Sequence, residues 1–212
     1  MRHFKLTFLA IALQLGVVSL TAWAVPITNL YNTGLDSIGN YQPTGAPDGN
    51  YSVISSPSGP FTPVAVDDTL YPFPFWLANN PPISRWIGTA AQSSDGAIGN
   101  YIYRTSIALP ANVNTSSVVI TGAWATDDPG IDIEVNAISN AQTSPSFGAL
   151  TPFTLTSGFQ PGINNIDFIV QNAFGPTGLR IEGIKGNYLV PEPVSLFLAV
   201  MSVGGMIMRR QV

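Results

Sequence analysis

The chain has 212 residues, room for two terminal segments and one domain of ordinary size, and only 9% of them are charged against 45% hydrophobic. About 25% charged is usual in soluble domains, so the polar surface here must be mostly uncharged, while the apolar share excludes disorder through lack of core material. Cysteine is absent and the only histidine is His3, at the front of the chain, which excludes Ser–His–Asp and Cys–His chemistry and any zinc site built on His or Cys from the rest.

Residues 1–24 read as a signal peptide with a helical apolar stretch. Arg2, His3 and Lys5 give a basic start, Leu6 to Leu20 is apolar except for Thr7, Gln14 and Ser19, and Ala22-Trp23-Ala24 puts small residues where a signal peptidase cuts, after Ala24. An uncleaved membrane anchor is the alternative.

From 25 to 189 the pattern is that of one β domain. Gly (20) and Pro (18) are abundant, and Gly-Asn-Tyr occurs at 39–41, 49–51, 99–101 and 186–188 without a fixed period, which excludes a solenoid and marks turns with Tyr opening a strand. The Pro-rich stretches 55–63 and 71–82 read as long surface loops, although Phe73, Phe75 and Trp76 among them need cover. Tyr101, Tyr103, Thr105 and Ile107 mark a strand, and Val118 to Trp124 a more apolar, central one. Ile131, Ile133, Val135 and Ala137 alternate with Asp132, Glu134 and Asn136. Ile166, Phe168 and Val170 repeat the pattern, as do Leu179 and Ile181, with Arg180 on the wet face of the last strand. No window between the two ends has helical periodicity, so the expected fold is all-β, an antiparallel β-sandwich between an N-terminal signal helix and a C-terminal hydrophobic helix. Between 25 and 190, Arg85, Arg104, Arg180 and Lys185 stand against eleven acids, a formal charge of −7 that repels phosphate backbones and excludes nucleic acid as a partner.

At 190–212, Val190-Pro191-Glu192-Pro193 precedes the uncharged run Val194 to Met208 and then Arg209-Arg210. Fifteen helical residues span roughly 22 Å, short for a bilayer core of about 30 Å. The prolines keep the preceding segment extended and outside the helix, and the arginines stay cytoplasmic by the positive-inside rule. This order of Pro-Glu-Pro, apolar helix with Gly204-Gly205, and basic pair resembles the PEP-CTERM sorting signal. The resemblance implies the route: signal peptidase and an exosortase as processing partners, transient anchoring in the inner membrane of a Gram-negative-type bacterium, then the cell surface or an exopolysaccharide matrix. It says nothing about the cargo.

The blocks Tyr31-Asn32-Thr33-Gly34-Leu35-Asp36, Trp76-Leu77-Ala78-Asn79, Ser84-Arg85-Trp86-Ile87, Ile120 to Asp128 and Pro176 to Glu182 are similar to galactose-binding-like jelly-roll modules of exported bacterial proteins. That resemblance implies a carbohydrate-binding or cell-surface domain, often with a structural calcium.

Trp76 and Trp86, flanking Asn79 and Arg85, are candidates for a sugar-stacking platform, because flat rings pack on sugar C–H faces. A core role is the stronger alternative for both indoles, and Trp124, on an apolar strand, reads as core. Asp127, Asp128 and Asp132 around Pro129-Gly130 offer hard oxygen ligands to calcium, with plain turn chemistry as the alternative. Asp36 and Asp48 form a second calcium candidate, on the resemblance. The expected function is therefore a non-catalytic surface or matrix protein that binds polysaccharide. The alternatives are a structural or adhesive matrix protein with no small ligand, and a glycan-active enzyme, which would need two carboxylates about 5 to 9.5 Å apart.

Overall fold

Period-two alternation puts one face of each strand inward, and two such faces must close on each other. The computed structural model, which describes residues 22–191, does this with eleven strands: β1 (Ala22–Pro26), β2 (Ser52–Ser55), β3 (Val64–Ala65), β4 (Ile87–Gly88), β5 (Gly99–Leu109), β6 (Val119–Asp127), β7 (Gly130–Val135), β8 (Ile138–Ser139), β9 (Thr151–Leu155), β10 (Gly162–Asn172) and β11 (Gly178–Pro191). One sheet runs β3-β4-β11-β6-β9, with β1 also paired to β11, and the other β2-β5-β10-β7-β8. The pairings along these two strand orders are antiparallel. The chain is thus all-β, two antiparallel sheets packed as a sandwich, and Trp23–Val190 forms one compact unit. Of the expected signal helix within 1–24, residues 1–21 lie outside the described residues, and so do the expected apolar helix at 194–208 and Glu192, Pro193, Arg209 and Arg210 around it. Among the described residues no helix is long and apolar enough to cross a membrane.

The main core lies between the sheets. β5 and β10 pair over their whole length, from Gly162 opposite Leu109 to Asn172 opposite Gly99. Their inward residues, Tyr101, Tyr103, Ile107, Ile166, Phe168 and Val170, meet Ile120, Trp124, Leu179 and Ile181 from β6 and β11. Phe168 sits at the middle, with its ring centroid 5.7 Å from those of both Trp124 and Phe153 and 6.3 Å from that of Tyr51. In β11 the register shifts between Glu182 and Lys185, where Gly183 has φ +67°, and the extra residue lets Ile184 face inward after Ile181.

Three details differ from the expected strands. β7 stops at Val135, because Asn136 and Ala137 take positive φ and turn the chain into β8. Gly-Asn-Tyr opens a strand at 99–101, but the 186–188 copy runs inside β11, paired to Ile120 and Val119. Ala22 and Ala24, the expected cleavage motif, are part of β1, and Val190 and Pro191 end β11 in the extended conformation expected of them.

A second apolar layer covers the outside of the β11/β6 sheet. Val66, Trp76, Trp86 and Ala125 form it, with Phe73, Leu77, Phe147 and Leu150 packed around them. Alternation along β6 explains it: Trp124 points into the main core, Ala125 points outward, and the loop over 71–82 folds down on that outer face. Gly178 on β11 makes room, since a Cβ there would come within 2.5 Å of the Trp76 ring.

Candidate functional site

The four residues read as a sugar platform are the framework of that second layer. Trp76 and Trp86 are 2% and 0% exposed, with ring centroids 4.2 Å apart. The Trp86 indole N–H donates to the Leu77 carbonyl at 2.8 Å, and the Trp86 backbone N–H donates to Asn79 Oδ1 at 2.9 Å. Asn79 in turn donates to Asp68 Oδ2 at 3.1 Å. Arg85 is buried, stacks over Tyr41 with 5.1 Å to the ring centroid, and donates to the carbonyls of Gln42 and Val66 and to Thr44 Oγ1. The platform reading is corrected: buried indoles offer no face to a sugar, and Trp76 has found the cover that an aromatic in this loop needs. Arg180 is corrected too. The loop covers the outer face of β11, so Arg180 is buried, donating to Ser84 Oγ at 2.9 Å, to the Ala78 carbonyl and to Glu182 Oε2 at 2.6 Å.

The calcium candidates spend their oxygens on N–H groups. Asp36 accepts from the backbone of Ile38 and Asn40, and Asp48 from Gly34, Asn50 and Tyr51. Asp132 accepts from the backbone of Ile133 and Gln142. Donors pointing at a carboxylate take the lone pairs a cation would use. Among the described residues, no group of three or more His, Cys, Asp or Glu side chains is placed to hold a metal ion.

Asp127 and Asp128 lie elsewhere, in a cleft of about 760 Å³ at one end of the sandwich. Asp127 ends β6 and accepts the Trp76 indole N–H on Oδ2 at 2.6 Å. Asp128 Oδ2 accepts the backbone N–H groups of Ala173 and Phe174 at 2.7 and 3.3 Å, which fixes the loop between β10 and β11. The Gly96 N–H donates to the Gly175 carbonyl at 2.7 Å, and Asn172 Nδ2 donates to the Gly96 carbonyl at 2.9 Å, so the segment carrying Asp95 is tied to the same loop. Tyr71 and Phe75 approach edge to face with ring centroids 6.2 Å apart, in a lining they share with Ser94, Phe147, Phe174, Gly175 and Pro176. Phe75 and Phe174 are 67% and 83% exposed, a large apolar area left in water. The structure therefore joins Trp76 from one expected site to Asp127 and Asp128 from another, and adds Tyr71, Phe75, Asp95 and Phe174, which sequence reading missed. Their only sequence signal is aromatic side chains inside Gly/Pro-rich loops.

Burial raises two carboxyls. Asp48 is pushed up to about 6 despite three backbone N–H groups. Asp127 is pushed up to about 7 by burial and by repulsion from Asp128, against the indole hydrogen bond from Trp76. Between about 4 and about 7 the folded chain thus holds protons the unfolded chain has released, and stability falls as pH rises through that window. Asp36 and Asp67, held below the usual range by hydrogen bonds to Asn40 and Thr69, act with opposite sign and only below about 4. Thermal melts from about pH 8 to about pH 5 are expected to show a rising transition temperature; a transition that falls steadily over that range contradicts the assignment.

No protein-family model matches the chain, and no curated protein matches it in sequence. What fold and site define is a class: a two-sheet antiparallel β-sandwich with an aromatic and acidic cleft at one end.

Proposed function

We propose that this is an exported, non-catalytic surface or matrix protein, routed by the signal peptide at 1–24 and the PEP-CTERM-like tail at 190–212, and that its sandwich binds polysaccharide through the cleft of Tyr71, Phe75, Asp127, Asp128 and Phe174. The observation that carries the binding half is the pair of exposed rings, Phe75 and Phe174, in one lining with the buried carboxyl of Asp127. Aromatic faces pack on sugar C–H groups and carboxylates accept from hydroxyls, which is the combination glycan sites need. The strand order supports a jelly roll of the galactose-binding-like kind: the eight strands β4 to β11 interlock as β4-β11-β6-β9 and β5-β10-β7-β8.

Asp127 and Asp128 are adjacent in the chain and repel each other, whereas glycoside hydrolysis needs an acid and a second carboxylate set on either side of the sugar bond, so the pair supports binding rather than hydrolysis. The export half rests on the order of segments in the sequence. In an exosortase-bearing host, the protein recovered from the cell surface is expected to lack residues 194–212 and to bind matrix polysaccharide, and Phe174→Ala to lose that binding with an unchanged melting temperature. A surface form that retains the tail refutes the sorting half. Binding that survives Phe174→Ala and Phe75→Ala together refutes the cleft.

A further inference from the structure

We propose that the cleft selects glycans bearing a protonated amino group, the ammonium lying against Asp127, Asp128 and Asp95 and the sugar face against Phe75 and Phe174. This rests on the carbohydrate reading above and names the substrate class within it. Three carboxylates line the cleft and no Lys or Arg does. Asp127 is only 5% exposed, so its charge is poorly solvated, and a cation beside it is worth more than in open water. One oxygen of each inner carboxylate is already engaged, Asp127 Oδ2 by the Trp76 indole and Asp128 Oδ2 by the Ala173 and Phe174 N–H groups. What remains unanswered is the repulsion between the two.

A neutral hydroxyl can donate to that pair but cannot cancel its charge. An ammonium can, with three donors, and the exposed rings around it attract the same cation through their faces. The proton that Asp127 holds near neutrality does the same work in the free protein, since burial and Asp128 push this carboxyl up to about 7. The ligand ammonium takes that proton's place, so binding releases a proton. Asp128 and the Trp76 indole N–H are the groups that bear directly on Asp127, and Asp95 and Tyr71 are the other titratable groups in the lining, none of them basic.

The test is calorimetric titration of the secreted protein with a glucosamine oligosaccharide, its N-acetylated counterpart and an oligolysine, in buffers of different ionisation enthalpy. The amine-bearing oligosaccharide is expected to bind about tenfold tighter than the acetylated one, with proton release on the acid side of neutrality, where its amine is already an ammonium. Asp128→Asn should reduce the affinity by about tenfold. Because Asp128 also holds the Phe174 loop, Asp95→Asn serves as a second variant; its carboxylate is exposed, and its affinity should drop in the same direction. Glu134→Gln on β7, outside the cleft, should change nothing. Equal affinity for the two oligosaccharides overturns this inference and leaves the carbohydrate reading standing, whereas no binding of either sinks that reading as well. Oligolysine bound as tightly as the amino sugar overturns the assignment to a glycan, because charge alone then suffices.

Discussion

Trp86→Ala is expected to destabilise the fold by about 3–5 kcal/mol, the usual cost of emptying a large aromatic site in a close-packed interior. Trp86 is fully buried, leans on Trp76 at 4.2 Å, and its indole N–H satisfies the Leu77 carbonyl. The second apolar layer has few buried members, so little can collapse into the space. The loss should extend to the cleft, since Trp76 rests on Trp86 and bonds Asp127. Denaturant titration should show a lower midpoint with an unchanged slope, and glycan binding should fall with it. Phe174→Ala is the contrast: its ring is in water, so binding should go while the unfolding free energy stays within about 0.5 kcal/mol of the parent's. A Trp86→Ala protein that loses less than about 1 kcal/mol would return Trp86 to the surface and reopen the platform reading.

The inner faces of the sandwich were legible because alternation is a local property. Tyr101, Tyr103 and Ile107 on β5, and Ile166, Phe168 and Val170 on β10, announce their burial within seven and five residues of chain. The outer layer was not, because its cover comes from a Pro-rich loop that has no period. Arg180 illustrates the consequence. By alternation it belongs on the wet face, and it does point away from the main core, yet the loop over 71–82 lies there instead of water. Trp76 and Trp86 stayed open between core and platform for the same reason. The cleft was the least legible feature, since Tyr71, Asp95, Asp127 and Phe174 come from four separated segments that only the packed loops bring together. Asp127 and Asp128 were noticed as turn and ligand chemistry; that one would be buried against an indole depends on a contact 51 residues away in the chain.

Arg180→Ala should be about as damaging as the tryptophan change, for an electrostatic reason. The guanidinium is 2% exposed and ties three elements together: Glu182 on its own strand, Ser84 ahead of β4, and the Ala78 carbonyl in the covering loop. Breaking a buried pair by removing one partner typically costs about 3–5 kcal/mol, most of it from the charge and carbonyl left behind without a partner. Glu182 would be the stranded charge. Burial pushes its carboxyl up, but hydrogen bonds from Ser84, Arg180 and Asn80 outweigh that and hold it below the usual range. Without Arg180 two of the effects that lower this carboxyl are gone while burial still raises it, so the Arg180→Ala variant should lose less stability on acidification than the parent does, which an unpaired cavity would not cause. The double change Arg180→Met with Glu182→Gln removes both charges and keeps the volume, and should cost less than Arg180→Ala alone. If Arg180→Ala is as stable as the parent, or the double variant is the worse of the two, the ion pair is not what pins the loop to the sheet.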